Sequence, residues 1–226
     1  MSKKKTIISI IIKIIAAVFA AVGIVGSYNA KKFMGSGSTF LYFTIQSNIW
    51  IAVVLLFLAG VMIAGLIRNK DLIKPWMTVL QLVFTVSITL TGIVFCFVLL
   101  PTMGPDALSV HTVFLHVVVP VLSVIDFIVF SKGTVLSYKK SFYTAIPPLY
   151  YFCFATYGYY HGFNFGHGHN YPYFFLNYGS PAGVFGFSNV MPYFMGSFYW
   201  ILVATAFVLG VACLYIKLIR PKKKKD

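Results

Sequence analysis

Residues 40–67 read FLYFTIQSNIWIAVVLLFLAGVMIAGLI, a run without a single Lys, Arg, Asp or Glu. At about 1.5 Å of rise per residue, a helix of this length crosses the roughly 30 Å hydrocarbon layer of a bilayer. Comparable apolar runs at about 7–28, 76–100, 110–130, 142–160 and 195–219 predict five more spans. Composition agrees: 59% of the 226 residues are hydrophobic and 10% charged, where a soluble domain carries about 25% charged residues. The expected fold is all-α, an integral membrane bundle of six transmembrane helices forming one domain over residues 1–226.

Charge sets the expected orientation. The N-terminus with Lys13, the 68–74 loop, the 132–140 loop and the C-terminal tail carry sixteen of the eighteen Lys and Arg residues, leaving Lys31 and Lys32 for the other face. By the positive-inside rule the sixteen-residue face is cytoplasmic, and so are both termini. This spacing in short segments flanking apolar runs accounts for the net charge of +14 and argues against a nucleic-acid partner. Lys3, Lys4 and Lys5 resemble the start of a signal peptide, but the apolar stretch after them is too long and lacks a cleavage site, so it reads as a retained first helix. Lys222–Lys225 reads as a solvated tail that also suits anionic membrane lipids.

Several chemistries are thinly supplied. Glutamate is absent, and the aspartates are Asp71, Asp106, Asp126 and Asp226, so paired-carboxylate catalysis has almost no material. Cys96, Cys153 and Cys213 are isolated within apolar runs and predict neither a disulfide framework nor a zinc site. Lys13 is expected to snorkel to the inner surface, and Asp126 to pair there with Lys132 or Lys139. No metal or other cofactor is expected, although His161, His167 and His169 lie close together.

Polar residues inside the runs are more informative. Ala16, Ala20, Gly23 and Ser27 form a small-residue seam for close helix packing. Thr78, Gln81, Thr85, Thr89 and Gly92 share one face of the third run, a stripe expected to face the bundle interior as interhelical hydrogen bonds or as a cavity lining, with Gln81 and Thr85 as candidate substrate contacts. Residues 161–197 hold no Lys, Arg, Asp or Glu and are crowded with Gly, Tyr, Phe, Asn and Pro, which predicts an ordered aromatic cap or re-entrant segment on the outer side.

Thr44, Ser47 and Asn48 share a face of the second run, since offsets of three and four return to the same side. A threonine there ordinarily bonds a carbonyl one turn back. In the fourth run, Pro120 lacks an N–H, so in a regular helix the carbonyl of His116 loses its partner and needs polar, protein-enclosed surroundings. Taken by itself, His116 reads first as an interhelical hydrogen-bonding residue. By topology, however, Thr44 and His116 lie at one depth, and a threonine hydroxyl with a histidine base suffices for acyl transfer if their helices are neighbours. Asp126 lies about 15 Å further along the helix, too deep to orient the imidazole; Asp106 reaches it only if its loop folds inward. Ser47 and Asn48 are candidate substrate contacts, Asn48 also a candidate oxyanion donor.

Three segments, FLYFTIQSN (Phe40 to Asn48), HVVVPVLSVIDFIVF (His116 to Phe130) and YPYFFLN (Tyr171 to Asn177), resemble the bacterial predicted six-transmembrane family and, more distantly, the androgen-induced transmembrane hydrolases of animals. In those animal proteins a threonine and a histidine within the bundle hydrolyse fatty acid esters of hydroxy fatty acids, and by motif the positions are Thr44 and His116 here. The resemblance implies a hydrolase of lipid or fatty-acyl esters in a bacterial cell membrane, with a small lipid-like substrate, Thr44 as nucleophile and His116 as base. The alternative is a transporter or lipid-binding membrane protein without catalysis, in which the Gln81 to Gly92 stripe and the outer segment form a pathway.

Overall fold

The computed structural model describes residues 2–30, 38–104, 107–166 and 168–221. The main helices are α1 (Lys3–Ala30), α2 (Phe43–Ile67), α3 (Pro75–Met103), α4 (Val110–Phe130), α5 (Ile146–Tyr160) and α6 (Ser197–Ile219). Among the described residues there is no β-strand, only an isolated bridge between Phe187 and Met195. α1, α2, α3, α4 and α6 are long and apolar enough to cross a membrane. α5 differs from the expected run at 142–160. Pro147 and Pro148 supply no N–H, so regular α-helix begins only at Ile146, and the preceding residues form a 3-10 stretch, Tyr138–Ala145.

The distribution of polarity is inverted relative to a protein folded in water. On α1, Ile7, Ile11, Val18, Val22 and Val25 are exposed, while Ser9, Lys13 and Ser27 are buried. Across the bundle Thr44, Ser47, Asn48, Gln81, Thr85, His116 and Asp126 are all buried. Large apolar side chains outside and hydrogen-bonding groups inside is the arrangement that lipid imposes, and it marks an integral membrane protein.

α1 packs against α2 and α4 through the expected seam: Ala16 and Ala20 are fully buried. A Cβ on Gly23 would come 2.7 Å from the Leu115 side chain of α4. Ala16, Ala20, Ile51, Leu55, Ile88 and Val119 form a mid-depth core joining α1 to α4. A larger core unites Phe43, Leu82, Val86, Phe127, Phe152 and Ile216 from the second half of the bundle. At one end the Lys3 terminus, the 68–74 loop and the 131–134 loop gather around a common cleft. The end of α6 joins them, where Gly133 N–H donates to the Ile219 carbonyl and Arg220 to that of Leu136.

Lys13 and Asp126 do not reach for the surface. The Lys13 ammonium forms an ion pair with Asp126, their side chains 3% and 0% exposed. Gln81 Nε2 donates to the same carboxylate at 2.6 Å and Ser9 Oγ at 2.7 Å. The expectations that Lys13 snorkels and that Asp126 pairs with Lys132 or Lys139 are thus both wrong. Each charge lies on the inward face of its helix, and α1 approaches α4 through alanines small enough to let the two meet.

This ion pair carries a stability prediction. Lys13→Met leaves Asp126 buried with hydrogen bonds but no countercharge, and should cost about 3–5 kcal/mol, whereas Lys13→Met combined with Asp126→Leu should recover most of the loss. Thermal unfolding of the purified protein in detergent micelles measures both.

Candidate active site

The N-terminal end of α2 does not continue back to Phe40. A 3-10 turn, Thr39–Leu41, precedes Tyr42, which is extended (φ −83°, ψ 140°) and serves as the N-cap. Thr44 therefore sits in the first helical turn, where amide groups have no intrahelical acceptor. The backbone break also removes the helical carbonyl one turn back that a threonine hydroxyl usually bonds. The nearest such carbonyl, Leu41, accepts from the Tyr151 hydroxyl instead. Thr44 Oγ1 turns inward to His116 Nε2, 3.2 Å away.

His116 is placed by a local defect of α4. Phe114–Val118 is a π turn, closed by the Val119 N–H on the Phe114 carbonyl. In that register the acceptor left facing Pro120 is the carbonyl of Leu115, not that of His116 as a regular helix would have it. Asn48 Nδ2 donates to it at 3.2 Å, and to the Thr44 carbonyl at 2.7 Å. One amide thus repairs the proline defect and ties the Thr44 turn to the His116 turn.

α3 carries the same defect at the same spacing: a π turn, Phe95–Leu99, two residues before Pro101. Its Phe95 ring stacks on the His116 imidazole, centroids 3.8 Å apart. The two helices approach closely because position 92 is glycine: a Cβ there would lie 2.8 Å from the His116 carbonyl oxygen.

The imidazole is oriented from behind. Its Nδ1 is 2.9 Å from the Thr112 carbonyl oxygen, which can only accept. Nδ1 therefore carries the proton, and in the neutral ring Nε2 presents its lone pair to Thr44. A backbone carbonyl fills the place that a carboxylate takes in a catalytic triad. Asp106, the carboxylate considered for that place, lies outside the described residues, as do His167 and Lys222–Lys225.

A third side chain descends from the 161–196 cap. Tyr173 Oη lies 3.5 Å from Thr44 Oγ1 and accepts from the Thr44 N–H at 3.4 Å. Burial raises its pKa, so the phenol stays protonated and able to donate. Tyr173 stood within YPYFFLN but carried no sign of its role, since the contact spans 129 positions in sequence. Among the described residues of the cap, Phe165 and Leu176 are buried, and the Tyr42 hydroxyl donates to the Phe165 carbonyl. Gly196 is required where the chain returns to α6, because a Cβ there would lie 2.2 Å from the Val184 carbonyl oxygen. His161 faces the Tyr157 carbonyl, and His169 packs against Tyr171.

Beside Thr44 is an apolar crevice of about 50 Å³, walled by Phe43, Leu90, Val94, Tyr151, Tyr173 and Phe175. None of the expected substrate contacts lines it. Ser47 bonds Thr91 at 2.7 Å, and Asn48 braces two carbonyls, so its amide is not the oxyanion donor expected. Gln81 is committed to Asp126. Thr85 is fully buried, and its hydroxyl has no hydrogen-bond partner. The stripe faces inward as expected, with Thr89 bonding Tyr215 at 3.1 Å.

No family model matches the chain, and neither a curated protein nor a solved structure does.

Asn48→Ala should leave the Leu115 carbonyl without a donor and lower stability by about 1–3 kcal/mol. Gly92→Ala should press α3 away from α4 and lengthen the Thr44–His116 separation. Denaturation in micelles reads the first, and a structure of the second variant reads the distance.

Proposed function

We propose that this chain is an intramembrane hydrolase of lipid or fatty-acyl esters, with Thr44 as nucleophile and His116 as general base. The observation that carries the reading is the 3.2 Å contact between Thr44 Oγ1 and His116 Nε2, with Nδ1 held on the Thr112 carbonyl. A structural hydrogen bond needs the contact alone. A base needs, in addition, the tautomer that leaves Nε2 free to accept, and this arrangement selects it.

His116 Nε2 takes the Thr44 hydroxyl proton as Oγ1 attacks the ester carbonyl. The oxyanion that develops meets the Thr44 N–H and the Tyr173 hydroxyl, at the positive end of α2. Collapse breaks the C–O bond, and His116 returns the proton to the departing alcohol. Water, deprotonated by the same imidazole, then attacks the threonyl ester; the Oγ1–acyl bond breaks, the fatty acid leaves and His116 returns the proton to Thr44 Oγ1. The crevice of about 50 Å³ holds a carbonyl and its neighbours; the rest of the acyl chain lies along the lipid-facing flank of the bundle.

The resemblance of the Thr44 and His116 segments to the transmembrane threonine hydrolases supports the same assignment. In this reading six helices span the membrane, α5 with its 3-10 lead being the sixth. The end that gathers Lys3, Lys70, Lys74 and Lys132 faces the cytoplasm, and the membrane is that of a bacterial cell. The other reading is a transporter; against it, Ile51, Leu55, Ile88 and Val119 close the core between the Thr44 crevice and the inner cleft.

A fluorophosphonate probe on membranes carrying the protein should label wild type and fail on Thr44→Ala and on His116→Ala; labelling unchanged in both would remove the dyad. Tyr173→Phe should retain labelling yet lower ester turnover by roughly 10²–10³-fold, the usual cost of one oxyanion donor, measured with a medium-chain nitrophenyl ester.

A further inference from the structure

The opposite end of the bundle holds a second and much larger cavity, a cleft of about 820 Å³. Lys3, Lys5, Lys70, Lys74 and Lys132 line its mouth, from the start of α1, the loop before α3 and the loop after α4. None of these five makes an ion pair, since Lys13–Asp126 is the one salt bridge among the described residues. Asp71 is the single acidic residue on the wall, and one of its oxygens is occupied by the Ile73 N–H. Lys13 lies at the floor, already neutralised by Asp126. The mouth therefore carries five cations against one carboxylate.

Helix ends do not account for this balance. The positive ends of α1 and α3 meet the negative ends of α2 and α4 around the same cleft, so their partial charges largely cancel. Lysines that only set topology can point anywhere into water. These five come from three separate segments and converge on one concavity, where a bound anion would relieve their mutual repulsion. Deeper in, Leu58, Met62, Leu66, Val129 and Phe130 make the wall apolar.

We infer that this cleft is a binding site for a phosphate-bearing anion, distinct from the Thr44–His116 site and at the other end of the bundle. Several flexible ammonium groups around a volume this size suit the several acceptor oxygens of a phosphate, whether diester or free, better than a single carboxylate. Two sources present that chemistry: the headgroup of an anionic phospholipid, whose chain would follow the apolar wall, and a free phosphate compound.

The test uses the full chain reconstituted in phosphatidylcholine nanodiscs. Its melting temperature is followed against inorganic pyrophosphate, with sodium chloride at matched ionic strength, and separately in discs containing phosphatidylglycerol. The comparison variant is Lys70→Gln/Lys74→Gln/Lys132→Gln, whose positions are exposed and whose unliganded melting temperature checks the fold. A saturable rise with pyrophosphate identifies a free-phosphate site, and a rise only with phosphatidylglycerol identifies a headgroup site. In either case the triple variant should bind roughly 100-fold more weakly, at about a factor of five per lysine. No saturable rise with either probe, an equal rise with chloride, or an equal rise in the triple variant would overturn the assignment.

Discussion

A carbonyl buried in a membrane bundle has to be met by a protein donor, and Pro120 withholds the one that α4 would have supplied. The half of the bundle that holds Thr44 and His116 is built around that deficit. The π turn moves the orphaned acceptor to Leu115, and the Asn48 amide crosses from α2 to fill it. Because the same amide also holds the Thr44 carbonyl, the first turn of α2 and the His116 turn of α4 are fastened together. The Thr44–His116 contact follows from that fastening, and Gly92 lets α3 close behind it.

The half that holds Asp126 rests on a different solution to the same problem. There the polar groups are ionic, and Asp126 collects an ammonium, an amide and a hydroxyl from three positions on α1 and α3. Breaking any one of these leaves charge in a place where lipid offers nothing in exchange. The two networks are separated by a dry layer of Ile51, Leu55, Ile88 and Val119, so the bundle has polar chemistry near both faces and an apolar septum between them.

Much of this was legible in the residues. Uninterrupted apolar runs gave the helices within a few positions, and charge counting gathered at one end the loops that do line one cleft. Equal depth brought Thr44 and His116 together correctly, because depth along straight helices is simple arithmetic. The ion pair was misread although its signal was present: Lys13 and Asp126 are opposite charges inside two runs, and each is the other's cheapest partner in lipid. Snorkelling was preferred because helix adjacency is not written in hydropathy. The break at Tyr42, the π turns and the role of Tyr173 depend on tertiary contacts, and local propensity carries no trace of them. The helical spacing that implicated Ser47, Asn48, Gln81 and Thr85 identified inward-facing groups, but not whether each was already engaged.

The position of Tyr173 on the cap has a further consequence. The bundle contributes the threonine and the histidine, while the phenol that faces them arrives on a segment whose own order depends on aromatic packing and turns. A segment packed in this way can open separately from a helical core. A nick or a loosened turn within 161–196 would withdraw the phenol and uncap the Thr44 amide together, leaving α1 to α4 intact. The Thr44–Tyr173 contact thus depends on a segment outside the long helices, and it can be lost while the helical bundle stays folded.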